Sequence, residues 1–143
     1  MPHAERTITI NRTPDDVFAF FADPAKDRSW RPHVKEIAAE GPAGPGAKIH
    51  QVVDGPGGRG IAADIEVTGY EPGRRYAFQV VAGPARPTGE FRFAPSGTGT
   101  EVSFSLSAEL GGLKKVFMSG PVQSSMDGEM RALDTAKALL EGG

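Results

Sequence analysis

The last thirty-odd residues, 111–143, constrain the fold most strongly, because they are the only long helical candidate in the chain. Their apolar residues recur at spacings of three, four and seven, which is typical of an amphipathic helix; the pattern consists of Leu113, Val116, Phe117, Met126, Met130, Leu133 and Leu140. Projected at about 100° per residue, the residues before and after Gly120-Pro121 fall on opposite faces. We therefore predict a short helix over about 112–119, a kink, and a main helix over about 121–141.

The rest of the chain consists of short strand-like runs separated by turns rich in glycine and proline. Alternating apolar and polar residues predict strands near residues 5–11, 34–40, 48–54, 61–68, 76–80, 89–93 and 102–110. After the first strand, Thr13 and Pro14 predict the start of a short helix, and a second follows over about 24–29. One apolar face per strand and short turns indicate an antiparallel sheet covered on one side by helices. The prediction is a single α+β domain over residues 1–143.

Composition and charge argue against several classes of function. A net charge of −2 gives no electrostatic reason to expect nucleic-acid binding. The chain has no cysteine, which excludes thiolate nucleophiles and disulfides. Residues 1–20 lack the apolar core of a signal peptide, and no run has the length of a membrane span. We therefore expect a cytoplasmic protein without membrane insertion, either a monomer or a homodimer.

Two sequence patterns suggest cofactor or metal sites but lack the context that such sites need. Residues 55–60 match the dinucleotide motif G-x-G-x-x-G, yet a strand-like run follows them instead of a helix, so a hairpin loop is predicted. The three histidines, His3, His33 and His50, have neither helical ligand spacing nor an H-E-x-x-H context. We expect no metal and no cofactor, and no assembled set of catalytic residues is visible.

The order of elements resembles the helix-grip fold of the START/Bet v 1-like superfamily, and more narrowly its polyketide cyclase/dehydrase (SRPBCC) branch. The resemblance rests on residues 10–24, Trp30, residues 67–76, 92–95 and 99–102, and the C-terminal helix. It implies a curved antiparallel sheet of about seven strands that wraps the long C-terminal helix, with two short helices after the first strand. It also implies a cavity between sheet and helix. Members of this superfamily bind lipids, sterols or polyketides, and some cyclise polyketides.

The residues expected to line such a cavity are aromatic side chains on the inward phase of three successive strands, Trp30 after the two short helices, and residues of the last helix. They are Trp30, Tyr76, Phe78, Phe91, Phe93, Phe104, Phe117, Met118, Met126 and Met130. Methionine suits surfaces with variable contents, and Trp30 either closes one end of the cavity or anchors the core. His50 is a further polar candidate, although the inward face of its strand is ambiguous, because Ile49 and Val53 compete with Val52.

Three functions are compatible with these observations. The first is binding of a small hydrophobic molecule, lipid-like or polyketide-like, between sheet and helix. The second is a cyclase or aromatase that folds a poly-β-ketone, with His50, Tyr76 and Glu66 as acid–base candidates. The third is a protein-interaction module that uses an edge strand or the exposed helix ends.

Overall fold

The computed structural model describes residues 2–142, without the side chains of Pro56 and residues 113–116. In chain order the elements are β1 (His3–Ile10), α1 (Pro14–Phe21), a 3-10 turn (Pro24–Lys26), α2 (Asp27–Trp30), β2 (Val34–Ala39), β3 (Lys48–Asp54), a second 3-10 turn (Pro56–Gly58), β4 (Gly60–Ala62), β5 (Ile65–Glu71), β6 (Arg75–Val80), β7 (Thr88–Ser96), β8 (Gly99–Ser107) and α3 (Gly112–Gly142).

The strands form one antiparallel sheet in the order β1-β8-β7-β6-β5-β3-β2, and short β4 pairs with β3 beside this path. Seven strands therefore follow one another across a curled sheet, with the long helix α3 at the end of the chain and the short helices early in it. The predicted fold class is confirmed. Among the described residues, no helix has the length and apolarity that crossing a bilayer requires.

The first helix follows from local sequence as predicted. The Thr13 side chain accepts a hydrogen bond of 3.3 Å from the backbone N–H of Asp16, and Pro14 occupies the first helical position. The side chains of Val17, Phe18 and Phe21 are buried against the sheet side of the molecule. This helix carries the chain from the edge strand β1 across to α2.

The predicted single strand over 61–68 is wrong, because the structure divides it into β4 and β5. β4 pairs with the last residues of β3, whereas β5 pairs with its first two. Between them, the Asp64 carboxylate accepts a hydrogen bond of 3.1 Å from the backbone N–H of Gln51. The Asp64 side chain thus accepts a hydrogen bond that a backbone carbonyl of a neighbouring strand would otherwise accept. The strand is interrupted here, although its alternation of apolar and polar residues continues.

The predicted break at Gly120-Pro121 is also wrong, since α3 is one continuous helix that contains Pro121. The prediction assumed that the residues before Gly120 form a second buried face, but Phe117 is 71% exposed. The side chains of Leu113 and Val116, which belong to the same face, lie outside the described residues. Pro121 is itself exposed, so water can bond the carbonyl that its missing N–H leaves unpaired.

Helix α3 lies along β1 in the same direction. Gln123 bonds the backbone of His3, Arg6 donates to the Met130 carbonyl, and Lys137 donates to the Thr9 carbonyl. Among the described side chains of α3, the buried stripe begins at Met126. The turns before Gln123 therefore extend past the first residue of β1.

Candidate functional site

Most of the aromatic and methionine residues predicted to line a cavity lie together in the core between sheet and helices. Trp30, Tyr76, Phe91, Phe93, Phe104, Met126 and Met130 are buried, and Phe78 packs against them half-buried. Met118 is half-buried, whereas Phe117 is exposed and lies outside this core. The core therefore contains eight of the ten predicted residues, without Phe117 and Met118.

The rings within this core are in close contact. Phe91 stacks on Phe104 at a centroid distance of 4.0 Å and on Phe21 at 4.9 Å. Phe21 also meets Trp30 edge to face at 5.3 Å. Because the rings touch at these distances, this part of the interior is well filled. Aromatic pairs at these separations also add to the stability that burial alone gives.

Two open concavities, of about 350 and 520 Å³, lie on the other side of the sheet. Polar side chains on the outward phases of β6, β7 and β8 line them, including Arg75, Glu90 and Ser105. Neither concavity that these described residues form is between the sheet and α3. A molecule bound between the stacked rings of the core would have to displace side chains that now touch.

A polar cluster borders the aromatic core, and we call it the Arg31 cluster. It consists of the buried residues Arg31, Gln51 and Glu129 and the half-buried residues Asp27 and His33. The Arg31 Nε lies 3.1 and 3.0 Å from the two carboxylate oxygens of Glu129. Its Nη1 donates to Asp27 Oδ2 at 2.9 Å and to Gln51 Oε1 at 2.8 Å. His33 Nε2 contacts Glu129 Oε1. The cluster joins α2, the turn before β2, strand β3 and helix α3.

Each side chain enters the cluster through its place in the local structure. Arg31 follows the last residue of α2, where its backbone N–H bonds the Asp27 carbonyl and turns the chain toward β2. Gln51 shares the buried phase of β3 with Ile49, and its Nε2 donates to the Ala63 carbonyl at 3.0 Å. Glu129 lies on the buried stripe of α3, three residues after Met126 and so on the same face.

Burial and mutual charge determine the protonation of the cluster. Although burial acts to lower the pKa of Arg31, the carboxylates of Glu129 and Asp27 raise it above its ordinary value. Burial likewise acts to raise the pKa of Glu129, but Arg31 and His33 together hold it below its ordinary value. For Asp27, burial outweighs the attraction of Arg31 and raises the pKa to about 6. One guanidinium thus pairs with two carboxyl groups, and the ionised form of Asp27 is less well stabilised than that of Glu129.

Among the described residues, two buried polar atoms at the edge of the cluster have no hydrogen-bond partner: Asp27 Oδ1 and Trp30 Nε1. Both side chains belong to α2, three residues apart, and side chains at this spacing are neighbours. Burial and the nearby charge of Asp27 raise the pKa of the Tyr76 phenol, which keeps that hydroxyl protonated. The unpartnered end of the cluster is therefore close to the aromatic core.

The polar residues singled out from the sequence lie elsewhere. His50 is on the phase of β3 opposite Ile49, and its Nδ1 is 2.9 Å from Asp64 Oδ1 in a half-exposed pair. Glu66 is likewise on the phase of β5 opposite its buried residues. Of the three acid–base candidates, Tyr76 alone is on a buried phase. The structure also answers the question about β3: Ile49 and Gln51 point inward.

The sequence contains one signal for the Arg31 cluster that the prediction did not use. Glu129 interrupts an otherwise apolar stripe that continues through Met130 and Leu133. A carboxylate in such a stripe requires a buried partner. Within the described residues, no group of three or more histidine, aspartate or glutamate side chains has the arrangement needed to hold a metal ion.

A family model described as polyketide cyclase / dehydrase and lipid transport matches residues 1–138. The chain belongs to this family. No curated protein matches its sequence.

Solved structures share the fold at low sequence identity. The protein TTHA0849 from Thermus thermophilus has a TM-score of 0.75 at 20% identity, with 96% of this chain and 97% of that chain covered. A START superfamily protein from Mycobacterium smegmatis has a TM-score of 0.76 at 13% identity, covering 98% and 97%. The di-domain ARO/CYC StfQ from the steffimycin biosynthetic pathway has a TM-score of 0.79 at 17% identity, with 98% of this chain and 51% of StfQ covered. At these identities the likeness establishes the fold.

Proposed function

We propose that this family member binds a small hydrophobic molecule between the sheet and α3, with a polar group of that molecule reaching Trp30. The family description, which names lipid transport and polyketide chemistry, supports an apolar ligand. The aromatic and methionine residues of the core supply the apolar contacts that such a ligand needs.

The observation that carries the proposal is the unpartnered indole N–H of Trp30 in a side chain that is only 2% exposed. Leaving a buried donor without an acceptor costs roughly 1–3 kcal/mol. Buried groups of this kind require an explanation, and a bound molecule with an oxygen atom at this position supplies the missing acceptor. The rings of Phe21 and the neighbouring core residues would then surround its apolar part.

The ligand is expected to reach this position past the first turns of α3. These turns extend past the first residue of β1, where Phe117 is exposed to solvent and Met118 and Val122 are half-buried. Because flexible methionine side chains also line the buried part of α3, at Met126 and Met130, the core can repack around an added molecule with little strain.

Trp30 is the only tryptophan of the chain, so its fluorescence reports directly on the proposed site. We expect titration with a panel of lipids, sterols and aromatic polyketides to shift or quench the Trp30 emission and to raise the melting temperature, since a ligand that binds the native state stabilises it. The matched control is Leu139→Ala, a change at an exposed apolar side chain of α3 that should leave the emission response of Trp30 intact. Ligands that raise the melting temperature while Trp30 emission stays constant would place binding elsewhere and contradict the proposal.

A second candidate is cyclisation of a poly-β-ketone, and the pKa of Asp27, raised by burial to about 6, favours it. A carboxyl group with a pKa near neutrality can donate a proton to a ketone oxygen as an aldol bond forms, and can take one up again later. Wild-type protein should then convert a synthetic poly-β-ketone at a rate that Asp27→Asn lowers by about 100-fold. An equal product rate and product pattern with and without the protein would remove this candidate.

A further inference from the structure

We propose that the ligand group recognised at Asp27 and Trp30 is an uncharged hydroxyl and that the site discriminates against carboxylates. This inference rests on the proposed function, because it specifies the chemistry of the same site. Asp27 and Trp30 both belong to α2. The preference for a hydroxyl follows from the hydrogen-bonding capacity of these two side chains and from the charge around them.

The two unpartnered atoms have complementary requirements. The indole Nε1–H of Trp30 can only donate, and an ionised Asp27 Oδ1 can only accept. A hydroxyl group accepts and donates at one atom, so it can satisfy both. A ketone can accept from Trp30 but leaves Asp27 Oδ1 unpaired. A carboxylate has no proton to give and would face Asp27 with a like charge.

The charges of the Arg31 cluster lead to the same conclusion. The one guanidinium, Arg31, is already bonded to the carboxylates of Asp27 and Glu129. The other ionisable groups that act on Asp27 and Arg31 here are Asp23, which is also acidic, and the protonated phenol of Tyr76. His33 contacts Glu129 and is bonded to that carboxylate. A ligand carboxylate would therefore lie beside Asp27, where the one guanidinium is already shared between two carboxylates.

The direct test compares three ligands that each have a linear skeleton of twelve carbon atoms: 1-dodecanol, 2-dodecanone and dodecanoate. Each is titrated into the wild-type protein at pH 8 by calorimetry and by Trp30 fluorescence. We expect dodecanol to bind at least tenfold more tightly than dodecanoate, with the ketone in between. Equal affinities for the alcohol and the carboxylate, or tighter binding of the carboxylate, would overturn the inference while leaving the proposed function in place. If none of the three ligands binds or perturbs Trp30, both the proposed function and this inference fail.

The matched variants are Asp27→Asn and Asp134→Asn, which remove the same charge from a buried and from an exposed carboxylate. Asp27→Asn should reduce the alcohol-to-carboxylate preference to threefold or less, whereas Asp134→Asn should retain the wild-type preference. An Asp27→Asn protein that keeps the full preference would contradict the role of Asp27. If this variant does not fold, the preference measured on the wild-type protein still decides the question, because it requires no substitution.

Discussion

Replacing Glu129 with alanine is expected to lower the free energy of unfolding by about 3–5 kcal/mol, because it leaves the buried Arg31 guanidinium with one carboxylate partner instead of two. The side chains of Arg31 and Glu129 are only 10% and 11% exposed, so water cannot replace the lost partner. His33 would lose its contact to the same carboxylate. Urea denaturation followed by circular dichroism measures this change.

The natural control is Asp134→Ala, since Asp134 is also an acidic residue of α3 that pairs with an arginine. Its carboxylate lies 2.6 Å from Arg6 Nη2, but the side chain is 66% exposed. Exposed pairs contribute about 0–1 kcal/mol, so this variant should remain close to wild type. Equal losses for the two variants would mean that burial of the Arg31–Glu129 pair does not determine its contribution.

The fold could be predicted from the sequence, whereas the site could not, because the fold depends on local patterns and the site depends on contacts between distant residues. Strand alternation, the Thr13 cap and the amphipathic pattern of α3 are local features, so a short window of sequence contains them. The seven-stranded sheet and its covering helix follow from these features. The division of β4 from β5 escaped prediction, because it depends on Asp64 reaching across to the backbone of Gln51.

The Arg31 cluster is non-local in the same way. Its members lie up to 102 residues apart, from Asp27 to Glu129, and meet only because α2, β3 and α3 pack together. Gln51 faces inward, yet the sequence around it is equally compatible with the opposite phase. Whether Phe117 is exposed to solvent depends on how far α3 extends past the first residue of β1, and no local sequence pattern determines this length.

The second large expected effect is a pH-dependent difference in stability between the wild-type protein and Asp27→Asn. In the folded state, burial raises the pKa of Asp27 from 3.8 to about 6, while the unfolded chain keeps the ordinary value. Between these two pH values the folded protein holds a proton on Asp27 that the unfolded chain has lost. The free energy of unfolding therefore falls as the pH rises through this window, by roughly 3 kcal/mol for a shift of about two pKa units.

Asparagine at position 27 does not titrate, so the free energy of unfolding of the variant does not fall in this way as the pH rises. Relative to wild type, Asp27→Asn should gain roughly 3 kcal/mol between pH 3 and pH 8, with most of the change between pH 4 and pH 7. Arg31, Glu129 and Asp23 surround Asp27 in both proteins, and their own titration largely cancels in the difference. Denaturation curves at intervals of half a pH unit would show the trend. The control Asp134→Asn should change in the opposite direction, because the hydrogen bond from Arg6 lowers the pKa of Asp134. A flat difference for Asp27→Asn would show that Asp27 ionises in the folded protein as easily as in water, and its unpartnered oxygen would then be solvated.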